Sequence, residues 1–288
     1  MNPVFKPWEN LTIADDFMFC KVMSYEEICK QLLEYMLHVK IEKLVYHEAQ
    51  KSVDVAYDIK RIRLDVYVAD SDRIFDVEMQ TAKKADLPKR ARYYQSLIDV
   101  DTLKKGDFYT SLKESYIIFI CTDDPFGNGL SRYTFRTRCD EKADLLLDDK
   151  ITKVFYNVNA YRKESDKEVR AVLELIKGNK PTSRFTAQIQ RLVDESKTQN
   201  ERWRNEYMTL EMIKTEERLA GRQAGFAEGE AKGITIGEVR GKAMGESIGA
   251  RNKAVETAKN LNKAGIPIET IAICTGLTVQ EVQALNIK

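Results

Sequence analysis

Residues 63–80 read RLDVYVADSDRIFDVEMQ, and this stretch decides the fold. Apolar and polar residues alternate on both sides of Asp70-Ser71-Asp72, the period-two pattern of two β-strands joined by a polar turn. Leu64, Val66 and Val68 then share one face of the first strand, and Arg63, Asp65 and Tyr67 share the other. On the second strand Phe75, Val77 and Met79 oppose Asp76, Glu78 and Gln80 in the same way. An even-numbered loop centred on Ser71-Asp72 pairs Asp70 with Arg73; counting outward sets Asp65 opposite Glu78 and Arg63 opposite Gln80. A one-residue change in that loop would send Asp65 to the other face. Like charges directly opposite destabilise a strand pair, so this pairing calls for compensation by Arg63 or by a divalent cation, which accepts carboxylate and water oxygens. The same pattern also fits the exposed polar face of an edge hairpin.

The surroundings supply a mixed sheet flanked by helices. Upstream, residues 24–38 (SYEEICKQLLEYMLH) have helical apolar spacing, with Ser24 and Glu27 as a capping box, and residues 41–50 read as a strand. Downstream, residues 86–106 place Leu87, Ala91, Tyr94 and Ile98 on one helix face. SYIIFICT (115–122) is continuous and β-branched, as in a strand buried on both faces. Further strands are expected near 132–137 and 151–158, and helices at 165–177 and roughly 185–219. The fold class is α/β, in the order α-β-β-β-α-β.

At this point the residues carry a likeness. RLDV, a short acidic turn and DVEMQ together resemble the D-x(n)-(D/E)-x-K core of the PD-(D/E)XK nucleases, and in detail the branch of nuclease-family transposases and recombination-promoting nucleases. YIIFICTDDPFGNGLSRYTF, a glycine-rich tract and the ending TGLTVQEVQAL are similar to that branch as well, so the resemblance spans nearly the whole chain. It implies a restriction-endonuclease-like core and metal-dependent hydrolysis of DNA. By position it implies that Asp65, Glu78 and the backbone carbonyl of Met79 bind a divalent ion, Mg²⁺ before Mn²⁺ or Ca²⁺. Gln80 occupies the place of the lysine, and an amide can orient water or a phosphate oxygen but is neither cation nor base. The segment KKADLPKRARYY supplies candidate DNA contacts in Lys83, Lys84, Lys89, Arg90, Arg92 and Tyr94, unless it is simply a solvated helix face. Glu27 is a candidate accessory acid.

Beyond the nuclease-like domain (1–180) and a charged helix (181–220) lies a low-complexity tract, 221–249, with glycine at every fourth position from Gly221 to Gly249. A four-residue step is about 400° on an α-helix, so the glycine stripe winds around it. Eight interior glycines cost a lone helix about 8 kcal/mol relative to alanine. The tract therefore reads as a spacer, flexible or marginally helical, with a close-packed helix pair as the other reading. Its charges, among them Glu228, Lys232, Glu238 and Arg240, exclude a membrane helix. The tail, 250–288, is expected to form three short helices resembling a helix-turn-helix, with Gly265, Pro267 and the Thr278/Glu281 box at their ends. VQEVQALNIK has no basic residue before Lys288, so an interaction module, for a second copy or a helical partner through 185–288, is favoured over a DNA reader.

Composition sets outer limits. With 288 residues, 43% of them hydrophobic, there is material for a large core, and 46 basic against 45 acidic residues leave no global charge to attract nucleic acid. Any such site must be local. Five cysteines without a CxxC pair suit reduced thiols in a cytoplasm. No stretch of about 18 apolar residues occurs, and the N-terminus lacks an export signal pattern. Only His38 and His47 are present, which argues against multi-histidine metal centres; both read as structural. The expected function is a DNA endonuclease connected with recombination, mobile elements or defence. A catalytically weak DNA-binding platform and a strand-transferring transposase are its alternatives.

Overall fold

The structure is a computed structural model and describes residues 5–53 and 62–285. The chain divides into two compact units, residues 1–211 and 212–288. In the first, a six-stranded sheet has the order β1-β2-β3-β4-β6-β5. Its strands are β1 (Tyr46–Val53), β2 (Ile62–Ala69), β3 (Arg73–Gln80), β4 (Glu114–Cys121), β5 (Arg132–Phe135) and β6 (Ile151–Asn157). The β1-β2-β3 meander is antiparallel, β3-β4 and β4-β6 are parallel, and β5 closes the far edge antiparallel to β6. The 63–80 hairpin is thus not an edge pair: β3 lies inside the sheet.

Both faces of the sheet are covered. One carries α1 (Asp16–Met23), α2 (Glu26–Leu37), α4 (Lys167–Ile176) and α5 (Arg184–Gln199), in a core with Val66, Val68, Phe75, Val77, Ile118 and Ile120. The other carries α3 (Leu87–Thr102), whose Leu87, Ala91, Tyr94 and Ile98 are buried with Tyr67, Ile74, Ile117 and Phe119. β4 contributes alternate residues to both cores, which is why its sequence is apolar throughout. Each such buried aliphatic or aromatic side chain is worth about 1.5–3 kcal/mol, so the sheet centre is the most strongly held part of this unit.

Local chemistry departs from the sequence reading at α2. Ser24 does not cap it; the Ser24 hydroxyl donates to the Lys21 carbonyl and closes α1 instead, and Tyr25 stands at the N-cap of α2. The strand expected at 41–50 begins at Tyr46. His38 ends α2 in the left-handed region at φ 55°, a structural position for an imidazole.

A single long helix, α6 (Glu201–Lys263), contains the whole glycine tract. Asn200 interrupts the expected 185–219 helix, separating α5 from α6. Within 221–249 every residue is exposed, and a Cβ placed on any of the eight glycines would meet nothing within 4 Å. The second unit ends in α7 (Ile268–Thr275) and α8 (Val279–Ala284), packed with the end of α6 around Ala258, Ile271, Leu277 and Val282. The Thr278/Glu281 capping box forms, and Gly276 takes the left-handed conformation, φ 72°, that the turn requires. Among the described residues no helix is long and apolar enough to cross a membrane.

Candidate active site

The β2-β3 register is the one the turn dictates. The Asp70 N–H donates to the Arg73 carbonyl, and ladder pairs run from Ala69–Ile74 to Val66–Val77. There the backbone ladder stops. The next position on each strand is a carboxylate, and the two cross over: the Asp65 N–H donates to Glu78 Oε1 at 2.9 Å, and the Met79 N–H donates to Asp65 Oδ2 at 3.0 Å. The Asp65 carboxylate thus takes a backbone N–H of β3, and the Glu78 carboxylate one of β2. On the other side, the β1-β2 register skips Asp65 between Ala49–Val66 and Lys51–Leu64. β2 is unbroken from Ile62 to Ala69 and keeps one register with β1 on either side of Asp65, yet Leu64 packs in the core beneath α3 and not with Val66 and Val68.

Asp76, Glu78 and Gln80 lie on the α3 face and are all buried; Asp76 is 0% and Glu78 3% exposed. Among the described residues neither oxygen of Asp76 has a hydrogen-bond partner in its ionised form. Burial, then the charges of Glu78 and Asp65, push the Asp76 carboxyl well above the usual carboxylate range, and a proton shared with Glu78 offers it a bond. Burial and then Asp65 raise Glu78 as well, against the Asp65 N–H and Arg90, which act to lower it. A buried acid pair that resists ionisation is short of positive charge.

Arg90, on the first turns of α3, is the cation that faces it. Its Nη1 donates to Gln80 Oε1 at 2.6 Å and its Nη2 to Tyr94 Oη at 2.9 Å, with Glu78 Oε2 3.6 Å away. The guanidinium also lies over the rings of Tyr94 and Phe119, 5.4 and 5.5 Å from their centroids. The Gln80 amide is engaged at both ends, since its Nε2 donates to the Ala82 carbonyl. Arg63, the other candidate counter-ion, has its side chain outside the described ones, as has His47.

The structure therefore brings together Asp65, Glu78, Gln80, Arg90 and Tyr94. Met79 joins them through its backbone: its N–H points toward β2, and a strand residue's C=O lies on the same side as its N–H, so that carbonyl faces Asp65. Lys83 and Lys84, in the loop after β3, line a small depression with Gln80, Cys121 and Asp123, and like Lys89 and Arg92 they are exposed. Glu27 is not brought to the cluster: it is exposed on α2, whose buried residues belong to the core of the opposite face. Asp76 is the member that sequence reasoning left without a role, although strand parity had already placed it on the face of Glu78.

Among the described residues no three His, Cys, Asp or Glu side chains form a ready group for one ion. The donor set still suits a hard divalent cation. Mg²⁺ is commonly held by one or two carboxylates with water completing its shell, and among the described residues the buried oxygens of Asp76, when ionised, have no partner.

A family model described as PD-(D/E)XK nuclease family transposase matches residues 13–219, most of the chain. The chain belongs to this family. The match takes in the sheet, α1 to α5 and the start of α6, and it includes the whole acid cluster. Searches of curated proteins and of solved structures returned no match. The mixed sheet flanked by helices agrees with the PD-(D/E)XK core, and family membership supports a nuclease- or transposase-related role with DNA as substrate.

Proposed function

We propose that this PD-(D/E)XK family member is a cytoplasmic, metal-dependent DNA endonuclease serving recombination, mobile elements or defence. The observation that carries the reading is the crossed pair of carboxylates at the end of the β2-β3 ladder, beside a buried acid whose oxygens, when ionised, have no partner among the described residues. Asp65, Glu78 and the Met79 carbonyl would hold Mg²⁺, with Mn²⁺ or Ca²⁺ as alternatives. When bound, such an ion acidifies a water molecule and neutralises charge on the phosphate.

The chain's own residues supply the rest. The reciprocal bonds to Asp65 N–H and Met79 N–H fix the direction of both carboxylates before any ligand arrives, so little rearrangement is needed on binding. Gln80 acts by positioning, because both ends of its amide are committed. Lys83 and Lys84 are exposed cations beside Gln80, and Lys89 and Arg92 are exposed on α3; all four suit the phosphate backbone. In the reaction a water oxygen bonds to phosphorus, one phosphorus–ester oxygen bond breaks, the water loses a proton and the leaving oxygen ends as a hydroxyl.

The test is relaxation of supercoiled plasmid with Mg²⁺, Mn²⁺, Ca²⁺ or chelator, run beside Asp65→Ala. Nicking by the wild type with Mg²⁺ or Mn²⁺, absent in the variant, is the expected result; equal nicking by both removes the assignment. A second reading, a catalytically weak DNA-binding platform, draws on Gln80 in the lysine position. Calorimetry separates the two, since a platform takes up no Mg²⁺ or Mn²⁺ through Asp65 and Glu78. Joining of a cut 3′ end to target DNA would instead mark a transposase.

A further inference from the structure

Hydrolysis of a phosphodiester builds negative charge on the phosphoryl oxygens, and a fixed cation beside them is among the strongest aids a site can offer. Position 80, where the D-x(n)-(D/E)-x-K pattern of the wider PD-(D/E)XK nucleases has a lysine, carries a neutral amide. The geometry around that amide shows what it does instead. A guanidinium donates only, so the group facing Arg90 must be the Gln80 oxygen, and the Ala82 carbonyl accepts only, so the Gln80 nitrogen must face it. The two partners fix the amide orientation without ambiguity.

A lysine at position 80 would meet Arg90 as a second cation and could accept nothing from it. Glutamine there and arginine at position 90 are chemically matched: the residue that takes the ammonium away provides the acceptor on which another cation docks. Arg90 is further held by the Tyr94 hydroxyl and by two aromatic faces, and only 24% of its side chain is exposed, unlike the neighbouring Lys89 and Arg92. Its bonds to Gln80 and Tyr94 occupy two of the five N–H groups of a guanidinium, and its charge stands 3.6 Å from Glu78.

We propose that Arg90 is the catalytic cation of this site, held on Gln80 and contacting a non-bridging oxygen of the scissile phosphate from α3, where the lysine would have reached it from β3. This deepens the endonuclease reading and rests on it. The planar, preorganised guanidinium suits two phosphate oxygens at once, and its contacts to Tyr94 and Phe119 keep it from following the substrate out.

The experiment compares wild type with Arg90→Gln, Arg90→Lys, Gln80→Lys and the double variant Gln80→Lys/Arg90→Gln. Three measurements are made on each full-length protein: plasmid nicking with Mg²⁺, Mg²⁺ affinity by calorimetry, and the urea midpoint with chelator. Arg90→Gln should nick about 10²–10³-fold more slowly, while binding Mg²⁺ at least as tightly as wild type, because a positive charge has left Glu78. Arg90→Lys should retain part of the rate. Gln80→Lys alone should also lose rate, since it repels Arg90. The decisive arm is the double variant, which moves the cation back to the strand and should nick at least about tenfold faster than Arg90→Gln.

A double variant no faster than Arg90→Gln overturns the proposal, as does wild-type nicking by Arg90→Gln. A fall in Mg²⁺ affinity that accounts for the lost rate does so too, because Arg90 would then merely hold the acids in place. If the Arg90→Gln midpoint collapses, Arg90→Lys and Gln80→Lys carry the same comparison through their rates relative to Mg²⁺ affinity. Wild type that neither binds Mg²⁺ nor nicks overturns the endonuclease reading itself; wild type that does both, with variants that fail these expectations, overturns only the role of Arg90.

Discussion

The two ends of the β2-β3 hairpin each bury carboxylates, and they treat them in opposite ways. At the turn, Asp70 is 5% exposed, yet it accepts the N–H groups of Asp72 and Arg73 at 3.0 and 2.7 Å and the Arg73 Nε at 2.8 Å. Arg73 is anchored in turn to the Lys40 carbonyl. At the other end Asp76 is more deeply buried, and among the described residues its ionised oxygens have no partner and Arg90 alone is the cation facing Glu78. A buried charge is tolerated in a fold when its hydrogen-bonding capacity is met inside the chain. The turn meets that condition and closes a structure; among the described residues the open end does not.

The largest effects should separate the two ends by function. Glu78→Gln or Asp65→Ala should reduce metal-dependent nicking by about 10³-fold or more, since removing even one preorganised group at the reacting charge costs about that much. The urea midpoint of Glu78→Gln in chelator should not fall, since its amide oxygen still accepts the Asp65 N–H. Asp70→Ala should do the reverse. Breaking its partly buried pair with Arg73 and stranding two backbone N–H groups should cost about 2–3 kcal/mol in urea unfolding, with nicking per folded molecule unchanged. An Asp70 variant that loses Mg²⁺ binding at full stability would erase the distinction.

Much of this contrast was legible in the sequence because strand parity is strict. Alternation from Arg63 to Gln80 placed Asp65 opposite Glu78, and the Asp70–Arg73 pair set the register that the structure adopts. Parity says nothing about depth, however. Whether the polar face met water or helix α3 depended on β3 lying inside the sheet, which rests on the β3-β4 pairing across more than thirty intervening residues. The capture of Arg90 by Gln80 spans ten residues and a change from strand to helix, so no local pattern announces it. Leu64 is a further departure: strict alternation puts it with Val66 and Val68, yet it packs beneath α3, and the local pattern holds no sign of that. The glycine tract reads as a spacer, flexible or marginally helical; it lies within the uninterrupted helix α6, and among the described residues nothing stands within 4 Å of a Cβ placed on any of its eight glycines.

A smaller effect would sharpen the contrast through pH. The folded protein raises the pKa of Asp76 and Glu78, so between the unfolded value, about 4, and the raised folded values it holds protons that the unfolded chain has released. Stability from these groups is complete below about pH 4 and is lost as pH rises through the folded pKa. With chelator present, the wild type should therefore be less stable at about pH 8 than at about pH 5. Asp76→Asn should flatten that slope and stabilise the metal-free protein by about 1–2 kcal/mol at the higher pH, because the amide can donate to Glu78 without carrying charge. A slope unchanged in this variant would mean that Asp76 is answered by something other than a shared proton.

The smallest effect lies at the rim of the open end, where Lys83 and Lys84 are exposed beside Gln80. Exposed lysines contribute little to a fold, so Lys83→Ala or Lys84→Ala should move the unfolding free energy by less than about 0.5 kcal/mol. Each should nevertheless reduce the slope of log affinity for duplex DNA against log salt by about 1, the signature of one lost phosphate contact. Measured with Ca²⁺ or chelator in place of Mg²⁺, that slope reports DNA contact apart from cutting. Lysines that leave it unchanged belong to a solvated loop, and the DNA path would then run over Lys89 and Arg92, on the exposed side of the helix that carries Arg90 inward.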